Sequence, residues 1–228
     1  HVSHEPYDGY FGPDVNTADL LEQRLKDPSS GLDAPAAFLV ETVQGEGGLN
    51  VASPEWLRQI AGLAKEQGAL LIVDDIQAGC GRTGTFFSFE QAGIIPDIVT
   101  LAKSLSGMGL PFALTLFRPD LDIWEPGEHN GTFRGNCHAF VTATAALRHF
   151  WRTGSFQDDV ERRSGLLGKR LGQIAARCSE PARIKGRGMM QGIDVGSGEL
   201  ATAITGAAFE RGLIIETSGP HDEVVKIL

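Results

Sequence analysis

The stretch Leu70–Leu110, LLIVDDIQAGCGRTGTFFSFEQAGIIPDIVTLAKSLSGMGL, contains two short apolar runs that each end at a polar residue. The first run, Leu70–Val73, is followed by Asp74, and the second, Ile98–Ala102, is followed by Lys103. Short continuous apolar runs of this kind predict buried strands of a parallel sheet. Because ligands of α/β sheets bind at the carboxyl ends of the strands, we expect Asp74 and Lys103 to face one pocket.

An acid and a lysine that share one pocket suggest the cofactor pyridoxal phosphate. This cofactor is held as a Schiff base on a lysine, and an acidic residue pairs with its pyridinium nitrogen. Lys103 follows Asp74 by 29 residues, which is the length of a helix, a loop and a strand. Taken alone, the two residues are weak evidence for this cofactor, because Asp and Lys at the ends of strands are more often ordinary ion pairs.

The rest of the chain predicts alternating helices and strands. Helices are expected at Asp14–Lys26, Ser53–Gln67, Phe87–Ala92, Cys137–His149, Gln157–Cys178 and Ala201–Arg211. Further strands are expected at Ala36–Val40, Phe112–Phe117, Leu213–Ile215 and Glu223–Leu228, and a strand-like stretch interrupted by glycines is expected at Ala182–Val195. The chain has 228 residues, enough for one domain of usual size with a smaller second one. We therefore predict a large ligand-binding domain over residues 1–156 and a smaller C-terminal domain over residues 157–228.

Composition and charge argue against several kinds of partner and site. The net charge of −9 argues against nucleic acids and anionic membranes as partners, and it fits a salt-adapted host weakly. There is no apolar run of membrane-spanning length and no signal-peptide pattern. The cysteines Cys80, Cys137 and Cys178 form no paired framework, which favours the reducing cytoplasm. Cys137 and His138 are adjacent but have no partners in the sequence, so no metal site is expected.

The segments LLIVDDIQAGCGRTG and DIVTLAKSLSGMGLP together resemble the class III (ω-) aminotransferases. The family pattern is an apolar strand, Asp-Glu-Val-Gln, Gly-x-x-Arg-Thr-Gly, Pro-Asp and a lysine turn; here Asp75 and Ile76 replace Glu and Val. The resemblance implies fold type I of the pyridoxal-phosphate enzymes: an aspartate aminotransferase-like α/β large domain with a mainly parallel sheet, plus part of a small C-terminal α/β domain. It also implies pyridoxal 5′-phosphate as cofactor, and a homodimer with a shared active site that could pair into a tetramer.

The resemblance assigns four residues to the cofactor. Lys103 would be the catalytic Schiff-base lysine, and Asp74 would pair with the pyridine nitrogen. Asp75 would face the other way, because adjacent strand residues alternate. Gln77 would hydrogen-bond the phenolic oxygen. Thr132, in HNGTFRGN, would reach the phosphate of the neighbouring subunit's cofactor.

Three residues are expected to act on the substrate. The segment ETVQGEGG is similar to the family's Glu-Pro-x-Gln-Gly-Glu, in which the second acid, here Glu46, gates the substrate carboxylate site, while Glu41 would be structural. Lys226, in HDEVVKIL, stands where the family has an Arg, so we predict a Glu46–Lys226 ion pair in the empty pocket. The alternative is that both side chains are merely solvated. Arg134 replaces a Gly of the family and would either bind a substrate carboxylate or tie its loop to an acid of the other subunit.

The segments PYDGYFGPD, GTFRGNCHAFVTATAAL and GRGMMQGIDV depart from the generic family pattern. They resemble the branch that transfers the amino group of glutamate to aspartate 4-semialdehyde in ectoine biosynthesis, by a ping-pong reaction through pyridoxamine phosphate. An ω-aminotransferase for ornithine, 4-aminobutyrate or putrescine, and a catalytically silent dimerisation fragment, are the alternatives. The chain also looks like a fragment, because the family's N-terminal part has no counterpart in it.

Overall fold

A computed structural model of the chain describes residues 1–179 and 181–228. Its helices are α1 (Thr17–Lys26), α2 (Pro54–Glu66), α3 (Cys137–Phe150), α4 (Ser155–Ala175) and α5 (Gly198–Phe209). Its strands are β1 (Ala37–Glu41), β2 (Leu70–Asp74), β3 (Ile98–Leu101), β4 (Leu114–Phe117), β5 (Arg183–Arg187), β6 (Met190–Asp194), β7 (Glu216–Ser218) and β8 (Val224–Ile227). No helix within the described ranges is both long enough and apolar enough to cross a membrane.

The first sheet has the strand order β1-β2-β3-β4. Strands β1, β2 and β3 run parallel, and β4 pairs antiparallel with β3 at the edge. In the register of this sheet Glu41 lies beside Asp74, and Asp74 lies beside Thr100. The carboxyl ends of three parallel strands therefore meet at one edge, as the two apolar runs predicted.

Helix α2 supplies much of the core that supports this edge. The Ser53 hydroxyl caps the helix by accepting from the Trp56 amide at 3.2 Å, and Pro54 occupies the first turn, where no amide donor is needed. The Trp56 indole donates to the Thr17 hydroxyl at 2.8 Å, which fixes α1 against α2. Burying the apolar face of α2 stabilises the fold at about 25 cal/mol per Å². The core residues of this layer include Leu21, Val40, Trp56, Leu57, Ile60, Leu63, Leu71, Val73, Val99 and Leu101.

The second sheet has the order β5-β6-β8-β7, and all of its pairings are antiparallel. Helices α4 and α5 pack against it. Strand β8 is central, and in its register Lys226 lies between Gly192 of β6 and Glu216 of β7. The predicted C-terminal unit thus has its own sheet, while the domain boundary at residue 157 stays a prediction.

The loop between β5 and β6 contacts the first part of the chain closely. The Met189 amide donates to the Arg82 carbonyl at 2.8 Å. Gly188 has φ +64°, and a Cβ at this position would lie 2.5 Å from backbone atoms of Thr83. Only glycine fits this close approach. The second sheet is therefore fixed against the loop that follows Asp74.

Two predicted elements were wrong. The helix expected at Phe87–Ala92 is only a 3₁₀ turn, Glu90–Ala92, which ends at Gly93 in the left-handed conformation with φ +67°. The strand expected at Leu213–Ile215 starts later, at Glu216. The Leu213 amide donates to the Ala208 carbonyl at 3.0 Å, so this segment still wraps the end of α5.

Candidate active site

The lysine turn follows β3 directly. Lys103 begins a 3₁₀ turn, Lys103–Ser106, three residues after Thr100, whose neighbour in the sheet is Asp74. Its φ of +50° lies in the left-handed region, which is uncommon for residues other than glycine. Such backbone strain concentrates at functional sites. The structure therefore places the lysine at the same sheet edge as the acid, in an unusual backbone conformation.

The two adjacent aspartates have different surroundings. Asp75 is 1% exposed, and its carboxylate accepts from the Ser88 hydroxyl and from the Ser88 amide at 3.1 Å. The Thr42 hydroxyl donates in turn to Ser88 Oγ at 2.6 Å. Burial raises the pKa of Asp75 above its ordinary value. Among the residues that the structure describes, Asp74 accepts only from the nearby Ile76 amide, at 3.0 Å, so its carboxylate keeps acceptor capacity at the sheet edge.

Glu41 closes the turn after β1. Its carboxylate accepts from the Gly45 amide at 3.1 Å, the structural contact expected of it. Burial raises the pKa of Glu41, and the charges of Asp74 and Glu46 raise it further, whereas Lys103 lowers it. Glu41 also lies beside Asp74 in the register of the sheet, so its carboxylate belongs to the same edge.

Glu41 gives a prediction for stability against pH. Since its folded-state pKa is raised, its contribution to stability is present below its ordinary value of 4.5 and is lost as pH rises through the raised value. Glu41→Gln keeps an acceptor for the Gly45 amide but cannot ionise. In the cofactor-free protein, the free energy of unfolding of the Glu41→Gln variant relative to that of the parent should therefore increase between pH 4 and pH 7.5. Urea unfolding at several pH values measures this difference. A difference that stays constant across this range would contradict the assigned burial effect.

Gln77 joins the turn of Glu46 to the loop after β2. Gln77 Nε2 donates to Glu46 Oε1 at 3.2 Å. Its side chain packs against Gly45, where a Cβ would lie 2.3 Å from Gln77 Oε1, so a larger residue at position 45 would push the amide of Gln77 aside. The arrangement leaves the second N–H of the Gln77 amide available for another acceptor.

The predicted ion pair between Glu46 and Lys226 is confirmed. Lys226 Nζ lies 3.0 Å from Glu46 Oε1, and the Lys226 side chain is 0% exposed. Nζ also donates to the Gly45 carbonyl at 3.3 Å. The hydrogen bond from Lys226 lowers the pKa of Glu46, with a smaller contribution from Gln77. The pair connects the second sheet to the turn after β1, which contains Glu46 and is hydrogen-bonded to Gln77.

A second acid, Glu216, also pairs with Lys226 and was not predicted from the sequence. Glu216 Oε1 lies 2.8 Å from Lys226 Nζ, and the two residues are directly opposite in the β7–β8 pairing. The sequence contains a pattern that could have predicted this pair, because two strand-like segments flank the turn-forming residues SGPHD. Since the strand was assigned to Leu213–Ile215, Glu216 was left outside it and its pairing with Lys226 was not predicted.

Two of the predicted residues lie apart from this group. Thr132 and Arg134 belong to an exposed loop, and Arg134 Nη1 donates to the His129 carbonyl. Over residues 1–179 and 181–228, no hydrogen bond or ion pair joins either side chain to Lys103, Asp74 or Glu46. Within the single chain this contact braces the loop, while the expected tie to an acid of the other subunit stays a prediction.

The sheet edge fits the cofactor expected from the sequence. Gln77 Oε1 and Thr100 Oγ1 are buried polar atoms with no hydrogen-bond partner within the described part of the chain. Buried polar atoms are almost always satisfied, so two such atoms beside Asp74 and Lys103 are consistent with a polar ligand. An acid, a lysine and an amide donor at one edge match the groups that pyridoxal phosphate requires.

The fold and this geometry place the chain among α/β proteins whose ligand site lies at the carboxyl ends of parallel strands. The family model described as aminotransferase class-III matches residues 14–228. The chain therefore belongs to the class-III aminotransferase family.

Relatives with known names agree with this assignment. The chain is 58% identical over 230 residues to a diaminobutyrate–2-oxoglutarate transaminase of Halomonas elongata, covering 100% of this chain and 55% of the relative. It is 58% identical to the enzyme of that name from Vibrio cholerae, covering 97% and 54%. Thus the chain spans about half the length of the curated relatives it matches.

A solved structure supports the fold. An ornithine aminotransferase of Toxoplasma gondii, reported with partial occupancy of PLP at its active site, superimposes with a TM-score of 0.75 and 32% identity. The similarity covers 94% of this chain and 49% of that one. Together with the mainly parallel first sheet, it confirms the expected fold type I class.

Proposed function

We propose that the protein carrying this chain is a pyridoxal-phosphate-dependent transaminase. It would transfer the amino group of glutamate to aspartate 4-semialdehyde and form 2-oxoglutarate and 2,4-diaminobutyrate, a step of ectoine biosynthesis. The observation that carries the proposal is the Glu46–Lys226 pair at 3.0 Å, beside the sheet edge of Asp74 and Lys103. The names of relatives at 58% identity support the substrate choice.

Four residues would hold the cofactor. Lys103 would carry it covalently, Asp74 would keep its pyridine nitrogen protonated, and the free N–H of Gln77 would bind its phenolic oxygen. Thr132 of the neighbouring subunit would contact its phosphate. When bound, the cofactor supplies an electron sink for the substrate carbon. Lys103, once released, would move the proton at that carbon.

The Glu46–Lys226 ion pair would allow one pocket to bind two substrates that differ in the position of a carboxylate. Glutamate presents an α-carboxylate next to its reacting amine, whereas the semialdehyde has hydrogen at the corresponding position. A fixed cation there would be left unpaired by the semialdehyde, at a cost of roughly 1–3 kcal/mol or more. Glu46 would pair with Lys226 whenever no carboxylate is bound, and would yield to glutamate. Because Lys is a single point charge without the bidentate fork of Arg, glutamate binding should be looser than with Arg.

Substrate competition tests the proposal. The holoenzyme should use aspartate 4-semialdehyde with a higher kcat/KM than ornithine or 4-aminobutyrate, measured at saturating glutamate or 2-oxoglutarate. Higher activity with ornithine would favour the second candidate, which rests on the structural similarity to an ornithine aminotransferase at 32% identity. A holoenzyme that binds the cofactor, but neither transfers the amino group of glutamate to the semialdehyde nor takes one from ornithine or 4-aminobutyrate, would contradict both.

The proposal includes a homodimer, because Thr132 would serve a neighbouring subunit, and dimers could pair into tetramers. The loop that contains Thr132 is exposed in the single chain, and the side chain of Phe133 in this loop is 97% exposed. An apolar side chain so exposed next to a polar site residue is consistent with an interface. Cytoplasmic location is also proposed, supported by three free cysteines. The division at residue 157 into two domains is retained as part of the same proposal.

Arg134 gives a prediction that separates its two roles. If its guanidinium binds the far carboxylate of aspartate semialdehyde, Arg134→Gly should slow the semialdehyde half-reaction more than the glutamate half-reaction. We expect about a tenfold difference, measured by single-turnover absorbance in each direction. Equal loss in both half-reactions would assign Arg134 to the bracing contact with His129 alone.

A further inference from the structure

Within the described part of the chain, three oxygens lie close to the Lys226 ammonium. Nζ donates to Glu46 at 3.0 Å and to the Gly45 carbonyl at 3.3 Å, and the Glu216 carboxylate forms an ion pair with it at 2.8 Å. A substrate carboxylate that approaches Lys226 therefore competes with these three oxygens.

The two acids differ in how they are held. Glu216 is directly opposite Lys226 in the antiparallel β7–β8 pairing, so the strand hydrogen bonds keep it beside the ammonium. Glu46 lies outside the strands in the turn after β1, and its side chain is 76% exposed, against 58% for Glu216. Glu46 is thus the acid that can move away from Lys226, whereas the strand pairing holds the backbone of Glu216 in place.

We propose that Glu216 is a permanent, strand-held counter-ion that positions Lys226 while Glu46 exchanges with the substrate carboxylate. A buried ammonium without an anion is strongly destabilising. With Glu216 in place, Lys226 stays paired after Glu46 leaves. The same charge partly neutralises Lys226 towards an incoming carboxylate, which limits the affinity for glutamate. This inference deepens the proposed function and rests on it for the identity of the carboxylate.

The first test measures stability and needs no amino transfer. Glu46→Gln and Glu216→Gln should each lower the Tm of the holoenzyme by about 2 °C or less, because the other acid still pairs with Lys226. The double variant should lose at least about 6 °C, more than the sum. Glu161→Gln, at an exposed position of α4, serves as the control. Additive losses would overturn the proposal even if the transaminase activity is as expected.

Adding Lys226→Met to the double variant covers the case in which that variant does not fold. Removing the charge should then restore folding, because no buried cation is left unpaired. A triple variant as unstable as the double one would overturn the proposal.

The second test measures positioning. In the Glu46→Gln background, Glu216→Gln should lower the KM for glutamate about fivefold, since the carboxylate meets a cation that is no longer neutralised. The KM for the semialdehyde should not change. A shift of both KM values in the same direction would indicate a merely structural residue and would overturn the proposal.

Discussion

Lys103→Ala is expected to abolish amino transfer, with a loss of roughly 4 kcal/mol or more of transition-state stabilisation, about a thousandfold in rate. The expectation rests on the position of Lys103 after β3, beside the neighbouring strand that ends in Asp74. The visible absorption of the bound cofactor should shift, and reduction with borohydride should no longer fix the cofactor to this peptide. Turnover near the parent rate would show that Lys103 is not the cofactor lysine.

Two further variants control for folding. Lys169→Ala, at an exposed position of α4, should leave activity and cofactor attachment unchanged. Lys103→Gly should be as inactive as Lys103→Ala but as stable as the parent, because glycine adopts φ +50° without strain. Unfolding of Lys103→Gly near room temperature would mean that the lysine side chain has a structural role instead.

Asp74→Asn is expected to cost roughly 3–5 kcal/mol in kcat/KM, the scale for removing one member of a buried charge pair. An amide cannot keep the pyridine nitrogen protonated, so the cofactor would lose much of its capacity to accept electrons. The cofactor should still attach to Lys103 in this variant, with an altered absorption spectrum. Kinetics and spectra together separate this effect from loss of binding.

Asp75→Asn is the matched comparison at the adjacent position. Its buried carboxylate accepts from the amide and the hydroxyl of Ser88, and an Asn side chain has one oxygen instead of two. The expected result is a stability loss of about 1–3 kcal/mol with a smaller change in turnover by the folded enzyme. A greater loss of turnover in Asp75→Asn than in Asp74→Asn would reverse the two assignments.

The sequence by itself determined the parallel part of the first sheet and the polar residues at its edge. Apolar runs of four or five residues define buried strands, and parallel strands necessarily bring their carboxyl ends together, so Asp74 and Lys103 follow from local pattern. The cap at Ser53 and the start of α2 are local in the same sense. The Glu46–Lys226 pair is not local, and it was predicted only through resemblance to a family.

Only the tertiary structure decided how the charges around this edge are paired. Asp75 accepts hydrogen bonds from Ser88, 13 residues away, and the segment Phe87–Ala92 forms only a 3₁₀ turn. Glu216 becomes a partner of Lys226 because β7 and β8 pair in one particular register. The spacing of charged residues along the sequence does not predict which of them will form ion pairs. Their pairing depends on distances and burial, which exist only after the two sheets have packed together.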